Sequence, residues 1–266
     1  MSTGPCCAHL LAKGADKVSR EAGGVWRVHA VWSLNDERFS CFELTDESEG
    51  EHLDRAAVIP GEIRIGDRAY LQPRRIARVL AAGGDVVVRA PWNGARWQDG
   101  DGDAVDLTTL LALVPKGTDV VDRPIWMALS GTAGLKPEPR VAVRLVALRK
   151  PPEAAKTSLA KAVAESARRG STLQPGTLIA SEWLILVTSL PEPEFPASVI
   201  GDLYRLRRAE GARLRHGAHR GRLQAFEKRH RPVGAAGHRP ALCQGPHPLA
   251  PAGEIIDRAA LARASR

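Results

Sequence analysis

Two hydrophobic periods take turns along this chain. Residues 25–32 (VWRVHAVW) alternate in part with Trp26 and Trp32, and residues 38–45 (RFSCFELT) alternate again. Asn35-Asp36 turns the chain between them, so the pattern predicts an antiparallel hairpin. Residues 46–59 are acidic and polar around Leu53 and Ala56-Ala57 and suit a short helix. A further short alternation, Glu62–Asp67, runs through Ile63 and Ile65 and ends on a carboxylate. From Pro73 the period lengthens: Ile76, Val79 and Leu80 recur at helical spacing, and Gly83-Gly84 ends the run. Asp85–Ala90 (DVVVRA) is a continuous β-branched stretch, as a buried strand requires. Strand, helix and strand at this spacing predict a βαβ unit, and with it a parallel pair in a mixed sheet.

Residues 91–182 have another texture. Pro91, Gly94 and the run Asp99–Asp103 (DGDGD) make loops, Arg140–Leu148 (RVAVRLVAL) patterns as a strand, and Glu153–Arg169 is an Ala/Lys/Glu-rich helix after Pro151-Pro152. Trp183–Ser189 (WLILVTS) is another buried strand, and Pro196–Arg207 starts a helix with Val199, Ile200, Leu203 and Leu206 on one face. The region reads as a largely β insertion followed by a return to the main sheet. DGDGD lacks the spaced ligands and distal Glu of an EF-hand loop, which leaves an acidic solvated turn.

Composition narrows the class. At 266 residues the chain can bury a sizeable core. No window of eighteen apolar residues occurs and no basic region precedes an apolar run near the start, which predicts a soluble, cytoplasmic protein with no membrane partner. Cys6, Cys7, Cys41 and Cys243 form no CxxC pair, so neither a zinc site nor a disulfide framework is expected. The net charge of +8 is uneven: residues 204–266 hold 14 Lys/Arg against 4 Asp/Glu. Such a segment favours nucleic acid electrostatically, or is Arg-rich for reasons unrelated to binding.

The candidate chemistry centres on EIRIGDRAY, Glu62–Tyr70. A carboxylate at a strand end, here Asp67, is where divalent-metal phosphoryl-transfer sites are built, and Arg68 and Tyr70 follow at once. WRVHAVWSL, RFSCFELTDESEGEHLDR, PGEIRIGDRAYLQP and the later LYRLR, in that order and spacing, resemble bacterial insertion-sequence transposases of the DDE class. The match is to the insertion-sequence-four type, whose third carboxylate lies in a Tyr-x2-Arg-x3-Glu-x6-Lys signature. It covers about residues 24–207, roughly three quarters of the chain.

The resemblance implies an α/β fold: a ribonuclease-H-like mixed sheet with a β-rich insertion before the last catalytic helix. It divides the chain into an irregular N-terminal remnant (1–23), the first part of the catalytic core (24–90), the insertion (91–182), a return to the core with the start of the final helix (183–207), and a basic disordered tail (208–266). It also implies DNA cleavage and strand transfer with Mg²⁺ or Mn²⁺, transposon-end DNA as partner, a nucleoid-associated location, and a homodimer or a heterodimer with an intact transposase. In-line displacement at phosphorus uses two such ions about 4 Å apart, held by acids from separate elements.

Asp67 matches the family's second aspartate and would be the metal ligand. Arg68, Tyr70, Tyr204 and Arg207 are the implied DNA contacts, although Arg68 and Tyr70 could equally pair with neighbouring side chains. For the first aspartate the candidate is Asp16, in a context that also reads as a turn. The third falls at Gly211, with Ala218 where the lysine belongs, and Glu210 is one residue off, a rotation of roughly 100° on a helix. The resemblance thus implies a catalytically impaired copy, truncated at its N-terminus, where the family's helical DNA-binding region is missing. The alternative is a non-catalytic DNA-binding or dimerising remnant.

Composition also breaks near residue 208. Ala, Gly, Arg and Pro supply 36 of the last 59 residues, and five of the eight histidines fall there. Those four residues share GC-rich codons, so a frameshift near codon 208 would produce this text. A genuine basic tail that binds DNA is the other explanation. With nine large aliphatic or aromatic residues in 59, the tail is expected to be disordered either way.

Overall fold

The computed structural model describes residues 5–7, 26–35, 38–46, 49–129 and 139–216. In chain order the elements are β1 (Pro5–Cys7), β2 (Trp26–Ser33), β3 (Arg38–Asp46), β4 (Ile63–Gly66), α1 (Pro73–Ala81), β5 (Asp85–Arg89), β6 (Trp97–Gln98), α2 (Leu107–Ala112), β7 (Val120–Ala128), β8 (Arg140–Arg149), α3 (Pro152–Arg168), α4 (Pro175–Ser181), β9 (Trp183–Thr188) and α5 (Ala197–His216). The architecture is mixed α/β. β1, β2 and β3 form an antiparallel meander, and six strands form a mixed sheet in the order β4-β5-β9-β8-β7-β6. β4 and β5 are parallel, as the helix between them requires, and the other pairs are antiparallel. β1 lies beside β4, which brings the meander against the larger sheet.

The large sheet is covered on both faces, and its side chains sort by the period of two. Val86, Val88, Leu145, Ala147, Ile185 and Val187 face the layer that contains α1 and α2. Ile63, Ile65, Val87, Val146 and Leu186 face α5, whose Val199, Ile200, Leu203 and Tyr204 close that side. The strands of 120–149 continue the same sheet beyond β9 rather than forming a separate layer. β7 escapes the sequence pattern because Asp122, Arg123 and Pro124 interrupt its alternation.

Residues 46–59 are not a helix over their described part: Asp46 ends β3, and 49–59 are turn and coil. The carbonyls a helix would use are taken by side chains. Arg55 Nη2 donates to the Gly50 carbonyl at 2.6 Å, and Gln72 Nε2 donates to that of Glu51 at 2.8 Å. Arg64 Nη1 donates to Leu53 O and its Nη2 to Ala57 O, the latter at 2.7 Å. Arg64 is fully buried in the middle of β4 (0 % exposed), and its Nε donates to Glu62 at 2.5 Å. Each of its three nitrogens therefore donates to an acceptor within the protein.

Helix α5 continues to His216, nine residues into the segment expected to be disordered. Its first turns are fixed by packing, and residues 208–216 (RAEGARLRH) are good helix formers apart from Gly211, so elongation needs no new nucleus. The rest of that segment, and the frameshift reading with it, lies outside the described residues.

Arg64→Ala would leave Glu62 buried without its cation and release the 49–59 segment. The expected loss is about 3–5 kcal/mol of unfolding free energy, read by urea denaturation. Burial pushes the Glu62 carboxyl up, with the charge and hydrogen bond of Arg64 pulling the other way. A folded-state value above the unfolded one favours the protonated acid, so the support from Glu62 is largest below its ordinary 4.5 and falls as the pH rises through the raised value. The stability of wild type minus that of Glu62→Gln should therefore shrink as the pH climbs above 4.5. A difference that grows would contradict this.

Candidate active site at the carboxyl end of strand β4

β4 delivers Asp67 to its carboxyl end, next to β5 in the parallel pair. Asp67 has extended backbone (φ −91°, ψ −166°), and its Oδ1 accepts from Ala69 N at 3.0 Å. That contact caps a single 3-10 turn, Arg68–Tyr70, which reverses the chain at once. The reversal folds Tyr70 back over Gly66 so closely that a Cβ on Gly66 would stand 2.7 Å from Tyr70 Cβ. Glycine, capping aspartate and tyrosine are thus one geometric unit. The glycine permits the approach, the aspartate sets the turn, and the tyrosine ring enters the core.

The other half of the site comes from α5. Ile200, Leu203 and Tyr204 are buried against the sheet at helical spacing, and Arg207 lies one turn further along the same stripe. Its Nη2 donates to Asp67 Oδ2 at 3.2 Å, with the Arg207 side chain 16 % and the Asp67 side chain 44 % exposed. Two features bring the helix this close. Gly201 faces Leu148, whose Cδ1 would lie 2.5 Å from any Cβ placed there. Arg144 of β8 donates to Asp122 from Nε and Nη2, at 2.6 and 2.5 Å, and its Nη1 donates to the carbonyls of Leu190 and Phe195. The segment leading into α5 is thereby tied to the sheet.

Of the residues singled out in the sequence, Asp67 and Arg207 come together directly. Arg68 is exposed on the turn beside them. Tyr70 and Tyr204 are both buried, in the cores on opposite faces of the sheet, where their rings pack. Asp16 lies outside the described residues. Position 210 belongs to the backbone of α5, one turn beyond Arg207, and its side chain lies outside what is described. Asp99 of DGDGD accepts from the backbone N–H of Asp101, Gly102 and Asp103, so this carboxylate closes its own acidic turn.

Sequence reading missed Glu62, Arg64, Asp122 and Arg144. A signal existed for the arginines: each interrupts an apolar run (EIRIG, VRLVAL) on a strand that is covered on both faces.

Among the described residues no group of three or more His, Cys, Asp or Glu side chains could hold a metal ion. Asp67 brings a single carboxylate, with one oxygen on a backbone amide and the other on a guanidinium. These donors alone do not fit the two-ion arrangement the sequence suggested. Among the described residues no helix is long and apolar enough to cross a membrane.

Comparison with known proteins gives no matching family model. It does give relatives in Escherichia coli. The transposase for insertion sequence element IS421 is 36 % identical to this chain over 197 residues. The same identity and span hold for the protein named "Putative transposase InsL for insertion sequence element IS186A" in strain K12. Each alignment covers 71 % of this chain and 51 % of the relative. The chain therefore spans about half the length of the curated relatives it matches, and these homologues carry the name of insertion-sequence transposases.

Gly66→Ala is expected to destabilise the fold by about 1–3 kcal/mol, because the new methyl displaces Tyr70 from the core. Urea unfolding with tyrosine and tryptophan fluorescence measures it, and an unchanged midpoint would show that the turn can relax at no cost.

Proposed function

We propose that this chain is the core of an insertion-sequence DNA transposase, of ribonuclease-H-like architecture and insertion-sequence-four type, in which strand cleavage is impaired. The observation that carries the reading is the 36 % identity to named transposases over 197 residues. The strand order supports the architecture: the meander β3-β2-β1 stands beside the parallel pair β4-β5, and a strand-rich stretch precedes the last helix. Asp67 at the carboxyl end of β4, faced by Arg207 from α5, supports the position of the site.

Impairment rests on the donor set. Phosphoryl transfer of this class depends on Mg²⁺ or Mn²⁺ held by several carboxylates. Here the described part of the site offers one carboxylate, already paired with Arg207, and Gly211 stands where the signature calls for Glu. What the protein retains is DNA binding, with transposon ends as partner, and association with itself or with an intact transposase at the nucleoid. The 14 Lys/Arg against 4 Asp/Glu of residues 204–266 favour this non-catalytic binding role as the second reading. A frameshift near codon 208 accounts for the composition of that segment. Resequencing the locus would reveal it as another frame that restores Glu and Lys at the signature spacing.

The test pairs a DNA-binding assay with a nicking assay on supercoiled plasmid in Mg²⁺ or Mn²⁺. Retention of DNA is expected to weaken about tenfold for each doubling of salt if roughly four phosphates are contacted. Nicking is expected to stay at the level of Asp67→Ala. Wild-type nicking that Asp67→Ala abolishes would overturn impairment, and no DNA retention at low salt would overturn the transposase-core reading.

A further inference from the structure

We infer that the Arg207 guanidinium takes the cation position at the Asp67 carboxylate, so that Asp67 anchors α5 and admits no divalent ion while the pair stands. Both oxygens of Asp67 are engaged, Oδ1 by the Ala69 amide at 3.0 Å and Oδ2 by Arg207 Nη2 at 3.2 Å. The arginine is not a passing surface partner. The stripe of Ile200, Leu203 and Tyr204 fixes the helix beneath it, and its side chain is mostly covered. The Arg144 clamp on the segment before the helix limits how far α5 can withdraw.

A hard divalent cation needs several oxygen ligands, and a lone carboxylate holds one weakly. Placed on Asp67, the ion would also meet a fixed positive charge within about 5 Å, and like charges at that range repel. Among the described residues no group of three or more His, Cys, Asp or Glu side chains could hold the ion and offset the repulsion. Arg207 therefore competes directly with the metal for the same oxygen, and it is tethered whereas the ion is not.

This inference rests on the proposed function only in taking Asp67 as the carboxylate of interest. It is tested on the full-length chain with Mn²⁺ alone, following free Mn²⁺ by electron paramagnetic resonance during titration. Wild type and Asp67→Asn should bind Mn²⁺ alike. Arg207→Gln should gain a weak Mn²⁺ site that wild type lacks, and the double variant Asp67→Asn/Arg207→Gln should lose it again. If Arg207→Gln does not fold, Arg207→Met keeps the aliphatic stem against the sheet and makes the same measurement. Mn²⁺ bound by wild type and lost in Asp67→Asn overturns the inference, as does no gain in a folded Arg207 variant. No DNA is present, so either failure leaves the transposase reading intact. Conversely, a failure of DNA retention would leave this inference standing.

Discussion

A guanidinium with no exposure in the middle of a strand constrains everything around it. Burying an ion without partners is prohibitively unfavourable, so Arg64 can occupy β4 only if each nitrogen finds an acceptor. Glu62, immediately before the strand, accepts from Nε, and the carbonyls of Leu53 and Ala57 accept from the other two nitrogens. The acidic stretch before β4 is therefore shaped by the strand it covers. Its coil conformation follows from giving its carbonyls to side chains.

With that face closed, the opposite face of β4 is free to be wholly apolar, and Ile63 and Ile65 receive α5. The short strand thus fixes two layers and ends on Asp67 between them. The turn after it works at close quarters, with Gly66 leaving just enough room for Tyr70 to fold back. From the other side, the Arg144–Asp122 pair holds the entry to α5, so Arg207 reaches the strand end from a helix fixed at its base. The ion pair between strand end and last helix joins what the two arginine clamps have positioned. In a protein similar to transposases, this ties the candidate catalytic carboxylate to the packing of the fold.

Much of this was legible in the sequence where one period dominates. The hairpin Trp26–Asp46, the unit Ile63–Arg89 with its parallel pair, and the strands at Arg140–Arg149 and Trp183–Thr188 follow their apolar patterns. Asp67 stood out because a carboxylate ends an alternating strand. What pattern reading missed depends on distant partners. Residues 49–59 looked helical, and nothing local reveals that Arg64 and Gln72 claim their carbonyls. β7 was hidden because a strand near a sheet edge tolerates Asp122, Arg123 and Pro124. Tyr70 and Tyr204 drew attention as members of the matched motifs and implied DNA contacts, yet both are buried, Tyr70 folded back over Gly66 and Tyr204 on the face of α5 that meets the sheet. Arg207 was selected by its motif, but its pairing with a residue 140 positions away became visible only in three dimensions.

The pair of Asp67 and Arg207 holds the last helix to the strand end. A double-mutant cycle with Asp67→Asn and Arg207→Gln, read as urea unfolding free energies, tests that most directly. For a pair with one half-exposed partner, a coupling of about 0.5–1 kcal/mol is expected, with the double variant less destabilised than the sum of the singles. Strictly additive losses would contradict the account and leave the two residues as neighbours without a shared role.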